Sequence, residues 1–252
     1  MKPFLAQLKF DGRRLILRNF SFQFFSILMP AGFYLLFTKV MVSGTVPVSF
    51  SLQYMASMIV YSGTINALFG IALILMHDRE KGLLQWYQLT PLGVQPYYLS
   101  VGFWSMVMNG IAIVVLGMLA VVVNHVSLTL GQWLAVAGVA LIGQIPTLLM
   151  GVAISFLNRP ETLSIVSNLI TFPMAIVSGL WWPMSMLPSW LQPIGKLMPT
   201  YFVNNWLGAV ATHATLKTTN IIGVSAWIGV LLVLVILETR QLLKRGDGVV
   251  KA

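Results

Sequence analysis

Residues 98–123 read YLSVGFWSMVMNGIAIVVLGMLAVVV, a run without one Asp, Glu, Lys or Arg. An α-helix rises about 1.5 Å per residue, so this stretch alone can cross the roughly 30 Å hydrocarbon layer of a bilayer. Working outward, five more apolar runs stand at 20–41, 54–76, 133–157, 163–182 and 219–237. The chain has 252 residues, of which 58% are hydrophobic and 8% charged, with a mean hydropathy of +0.86. A soluble domain carries about 25% charged residues. So few charges cannot build a water-facing shell, and so apolar a chain is not disordered. At about 20 residues per span the length allows roughly six crossings with little left over. The expectation is an all-α integral membrane protein, one transmembrane domain over 1–252 with six transmembrane helices. The fifth run is the weakest, diluted by Ser164, Ser167, Asn168, Thr171 and Pro173. Trp181 and Trp182 bound it, and tryptophan favours the headgroup level.

Six crossings put both termini on one side, and the basic residues identify that side. Lys2, Lys9, Arg13, Arg14, Arg18, Arg79, Lys81, Arg159, Arg240, Lys244, Arg245 and Lys251 fall on one face, leaving Lys39, Lys196 and Lys217, of 15 Lys and Arg in all. The positive-inside rule makes the richer face, and both termini, cytoplasmic. The net charge of +9 is then a membrane-topology signal, not a sign of nucleic-acid binding. The first apolar run is longer than a signal-peptide core of about 7–15 residues and no A-x-A-like site follows it, so it reads as an uncleaved span.

The span centres hold no ionisable carboxylate or base, which disfavours proton-coupled transport and pumping. There is no cysteine, no H-E-x-x-H, no G-x-S-x-G and no phosphate-binding G-x-x-x-x-G-K-[ST]. Catalytic and metal-binding residues are therefore expected to be absent. His77, His125 and His213 sit near span ends or in loops, where an interfacial polar role is the simple reading. Gly143, Thr147 and Gly151 recur at four-residue spacing, as do Gly63 and Ala67, a pattern that allows close helix approach within one chain or between two. Pro146 and Pro173 are candidate kinks.

Three segments are more informative. In residues 1–18, Phe4, Leu5, Leu8, Leu15 and Ile16 fall on one side of a helical wheel, with Lys2, Gln7, Lys9, Asp11, Arg13, Arg14 and Arg18 over most of the rest. This predicts an amphipathic interfacial helix, apolar side in lipid and basic side toward anionic headgroups. In the loop 77–97, the charged cluster His77-Asp78-Arg79-Glu80-Lys81 is broken by Gly82. The run Leu83-Leu84-Gln85-Trp86-Tyr87-Gln88-Leu89-Thr90 then stops at Pro91. A short surface helix is expected there, suited to a partner's groove. The stretch 178–218 carries Trp181, Trp182, Pro183, Pro188, Trp190, Pro193, Pro199, Tyr201 and Trp206 with little charge. It is too apolar for an aqueous loop and too proline-broken to span, so it reads as re-entrant or interfacial.

Taken together these segments resemble the permease subunits of the ABC type-2 exporter family, over nearly the whole chain. Arg79-Glu80-Lys81-Gly82 followed by Thr90-Pro91 is similar to the family's cytosolic coupling loop. Ser178-Gly179, Pro183, Leu187-Pro188, Trp190-Leu191-Gln192-Pro193 and Pro199-Thr200-Tyr201 are similar to its outward re-entrant motif. One departure is that Leu83, Leu84 and Gln85 follow Gly82, where the family often has Thr and an acidic residue. The resemblance implies a transmembrane subunit of an ATP-driven exporter in a bacterial plasma membrane. Two ABC ATPase subunits would hold ATP and Mg, and a second permease copy or paralogue would complete it. It further implies that Arg79, Glu80, Lys81, Gly82, Leu83, Leu84, Trp86, Tyr87, Thr90 and Pro91 receive the ATPase. Ser178, Gly179, Pro183, Pro188, Trp190, Pro199 and Tyr201 would close the outer exit. This chain would bind no cofactor and catalyse nothing.

Two other classes remain compatible with the residues. A membrane scaffold would anchor a cytosolic partner. An intramembrane lipid-modifying enzyme would need polar catalytic groups, for which Ser178, His77 and His213 are the poor candidates. The aromatic and Met content of the spans suits an amphipathic or hydrophobic substrate such as a drug, lipid or peptide.

Overall fold

The computed structural model describes residues 2–17, 20–42, 44, 46–90 and 93–245. Among them there are helices and no strand. Six helices are long and apolar enough to cross a bilayer: α2 (Ser21–Val40), α3 (Val48–Glu80), α5 (Gln95–Asn124), α6 (Leu130–Ile154), α7 (Pro160–Val177) and α9 (Thr218–Arg245, apolar through Gln241). Shorter ones accompany them, among them α1 (Lys2–Gly12), α4 (Leu83–Gln88) and α8 (Pro199–Thr212). The protein is thus an all-helical bundle with six candidate spans.

Local chemistry sets most of the boundaries. Pro96, Pro160 and Pro199 stand in the first turns of α5, α7 and α8, where a missing N–H costs nothing. Thr129 and Gln132 form a capping box at the start of α6. His125 and His213 end α5 and α8 in the left-handed conformation, at φ 54° and 56°. Each donates its backbone N–H back into the last turn, the αL form of C-cap. Two of the three histidines are therefore helix terminators.

The hub is α3, with 83% of its apolar window buried, against 17% for α9. It packs on α2, α5 and α8. The small-residue spacings serve this packing within one chain. A Cβ on Gly151 of α6 would collide with the backbone carbonyl of Ala67 on α3, and one on Gly143 would collide with Val203 on α8. Helices can approach to backbone contact only where a side chain is missing. Between these glycines α6 is interrupted at Gln144, just before Pro146, which has no N–H to continue the ladder.

Two expectations need correcting. The fifth span is Pro160–Val177, so Trp181 and Trp182 lie beyond it in a turn made by Gly179 at φ 79°. And not all polar residues of the N-terminal helix stay outward, although Lys9 and Arg13 do. Asp11 is fully buried and Leu15 nearly so, while Leu5 and Phe10 are exposed. The helix lies against α5, where Trp104 Nε1 donates to Leu8 O at 2.8 Å and a Cβ on Gly12 would strike the Trp104 ring. A wheel sorts residues by polarity alone; here Asp11 and Arg14 turn inward because charged partners await them. Arg18 lies outside the described residues.

Between α7 and α8 the chain makes turns, a single 3-10 turn (Met184–Met186) and a short helix (Gln192–Gly195). The following α8 has 14 residues, about 21 Å of helix, shorter than the roughly 30 Å hydrocarbon layer.

Candidate functional site

Gly82 takes φ 70°, a conformation that costs a glycine little, and so turns the chain from α3 into α4 within two residues. Leu83, Leu84 and Tyr87 pack against a small apolar cluster built on Leu75, Tyr97 and Val101. Tyr87 stacks on Tyr97 at 5.3 Å between centroids. On the other side Trp86 and Leu89 are 71% and 73% exposed. Thr90 Oγ1 donates to Tyr87 O at 2.7 Å and closes the end of the helix. Arg79 donates to Leu157 O at 2.5 Å and lies over the Phe156 ring. Glu80 sits 3.3 Å from His77, and Lys81 is exposed. Of the residues expected to form one surface, Trp86 and Lys81 face out, while Leu83, Leu84 and Tyr87 anchor. Pro91 lies outside the described residues.

Beneath α4 is a charged knot that sequence reasoning missed. Arg14 donates to Asp78 at 2.6 Å and pairs with Asp11 at 3.3 Å. Tyr97 donates its hydroxyl to the other Asp78 oxygen at 2.5 Å. Gln7 Nε2 donates to Asp11 at 2.6 Å and to Tyr87 Oη at 2.7 Å. Four elements are joined this way: α1 and its continuation at Arg14, the end of α3, α4, and the start of α5. Burial works to lower the Arg14 pKa, but its partners together, Asp78 foremost with Tyr97 and Asp11, outweigh it, and the guanidinium is held more firmly protonated than usual. Burial pushes the Tyr87 phenol up, with Gln7's hydrogen bond opposing. The available signal was Asp11 three residues before Arg14, a spacing that places both on one side of a helix.

At the other end of the bundle the sequence-selected residues divide. Ser178 is buried; its hydroxyl donates to Met174 O at 2.6 Å and accepts from Thr200 at 2.9 Å. Ser178, Gly179, Pro183 and Tyr201 line a cavity of about 230 Å³ together with Tyr54, Ser57 and Asn204. Ser57 Oγ donates to Asn204 Oδ1 at 3.0 Å, and Tyr54 Oη to Trp181 O at 3.3 Å. Pro199 opens α8 behind this cavity, and Trp190 and Pro188 lie outside it, Trp190 on the exposed surface. Reasoning from motifs missed Tyr54, Ser57 and Asn204; the Asn204-Asn205 pair in an apolar stretch was the readable hint. His77 stands at the α4 end, whereas Ser178 and His213 stand at this one, so the three do not assemble into a catalytic group.

A third feature lies inside the bundle. Asn66 donates to Gln23 at 2.9 Å, Ser105 to Asn66 at 2.7 Å, and Gln144 to Ser105 at 3.0 Å. These buried neutral groups tie α2, α3, α5 and α6 together. A charge-free span centre is still not an apolar one.

Residues 37–237 match the family described as "ABC-2 family transporter protein". The chain belongs to the ABC-2 transporter family. Consistent with this, it is 28% identical over 188 residues to the "Putative transport permease YvfS" of Bacillus subtilis (strain 168), covering 74% of this chain and 76% of that protein. As an ABC-2 permease it is a multi-pass membrane protein, and its family implies an ABC transporter with an ATPase partner. Permeases of this kind are generally not enzymes themselves, and the scaffold and lipid-modifying readings give way to transport.

Proposed function

We propose that this permease is the transmembrane subunit of an exporter of an amphipathic or hydrophobic substrate, driven by two copies of a separate ATPase that dock on α4. A second permease copy or paralogue completes the assembly, ATP and Mg belong to the ATPase, and the host membrane is the bacterial inner membrane. The observation that carries the reading is the exposure of Trp86 and Leu89 on a helix whose other face is anchored to the knot. Large apolar side chains left out on a rigid base are what a partner's groove takes up. The twelve basic residues that the sequence assigns to the same side as α4 support placing it in the cytoplasm. The turn after α7, with Ser178, Gly179, Pro183 and Tyr201 around its cavity, is proposed as the outer closure.

Transport then requires two bundle shapes with unequal affinity for substrate and for the nucleotide state of the ATPase. The chain lacks native cysteine, so a single Gln88→Cys variant can be cross-linked in native membranes without interference. An adduct with a P-loop ATPase, lost when that ATPase is deleted, is the expected result. Scanning 79–90 and finding lipid adducts alone would overturn the coupling assignment.

A further inference from the structure

Between the α4 ends of α3, α5, α6 and α9 lies a cavity of about 650 Å³. Its size falls within the roughly 300–1,000 Å³ of ligand pockets. Leu75, Val101, Met106, Leu148, Val152 and Leu232 are among its apolar lining, and its polar lining includes Arg79 of α3, Gln85 and Gln88 of α4, and Thr239 of α9. On α5 its lining runs from Val94 to Met106, about 18 Å of helix. Gly102 is in that lining, and a Cβ built on it would meet nothing within 4 Å. A mid-helix glycine that serves no close helix contact leaves room for something else.

Water is a poor occupant of so apolar a space, because a buried water needs two to four polar partners. The phase surrounding these spans is hydrocarbon. We infer that the cavity binds one acyl chain of a phospholipid, its headgroup held at the polar lining of Gln85, Gln88 and Thr239. The inference rests on the membrane embedding of the bundle and not on the docking of an ATPase. Because α4 supplies part of the wall, chain occupancy and the position of α4 are linked: a lipid that binds one α4 position better than another shifts the balance between them.

The test reconstitutes the full chain in vesicles containing a phosphatidylethanolamine with a diazirine in one acyl chain, irradiates, and maps adducts by mass spectrometry. Adducts are expected on Leu148 and Val152 as well as on the exposed face at Val121 and Val122. Gly102→Phe fills the cavity and should lower the Leu148 and Val152 adducts at least fivefold, leaving Val121 and Val122 unchanged. Gly110→Phe is the control: the same helix and the same open Cβ, but outside the cavity. Equal labelling in the two variants, or no adduct on Leu148 and Val152 in the native chain, would overturn the site. Should G102F not assemble, Val152→Phe narrows the same space, and its Leu148 adduct is read in the same way.

Discussion

Arg14 shows how much one side chain can hold. It is the cation between two carboxylates, Asp11 and Asp78, and its ring neighbour Tyr97 bonds the same Asp78. Removing one partner of a buried ion pair leaves the other charge desolvated and unpaired, at a cost of about 3–5 kcal/mol. Arg14→Met is therefore expected to destabilise the bundle by about that amount, discounted somewhat because the side chain keeps 17% exposure. A clear fall in thermal-unfolding temperature in detergent checks this. Arg14→Lys should recover only part of the loss, since a single ammonium cannot reproduce the fork that reaches both carboxylates. The polarity of residues 7–14 was plain in the sequence. That Gln7, Asp11 and Arg14 turn toward the bundle was not, since Asp78, Tyr87 and Tyr97 lie more than sixty positions away.

The element proposed to couple to the ATPase is α4. Its anchored and exposed faces separate two effects that one mutation usually mixes. Trp86→Ala removes an exposed ring and should leave folding and yield unchanged, while lowering transport-coupled ATP hydrolysis at least tenfold. Unchanged hydrolysis in the assembled transporter would mean that the ring is not a docking group. Gly82→Pro acts at the turn instead: proline fixes φ near −65°, whereas this position needs φ 70°. It should displace α4 altogether and abolish coupling even with Trp86 present. The sequence marked α4 by a break at Gly82 and an aromatic run after it. It also marked the six spans by length, with edges that moved: α3 begins at Val48, not 54, because the polar Ser51 and Gln53 are covered within the bundle, Ser51 fully buried and Gln53 against Gly208 of α8.

For the whole molecule, the proposed orientation rests on the positive-inside rule. A cysteine at Leu216, exposed between α8 and α9, should react with a membrane-impermeant maleimide in intact cells. One at Gln88 should react only after the membrane is opened. The reverse pattern would invert the topology and with it the assignment of α4 to the ATPase side.

Fold class and the number of spans were legible in this sequence, because both rest on local or cumulative quantities: hydropathy over about 20 residues, basic residues per loop, glycine and proline at element ends. The ABC-2 family came instead through the resemblance of motifs such as Arg79-Glu80-Lys81-Gly82 with Thr90-Pro91. Tertiary structure alone decided which polar groups meet. Hydrogen bonds such as Asn204 with Ser57, and the cavity against α9, depend on which helix faces which, and a neutral amide carries no periodic signature of its partner. The same holds for Gly151, whose spacing allowed a seam within the chain or between two chains until the carbonyl of Ala67 was found against it. Spans are written into the chain by their length in lipid; contacts among them are set by shape, which exists only once the bundle has formed.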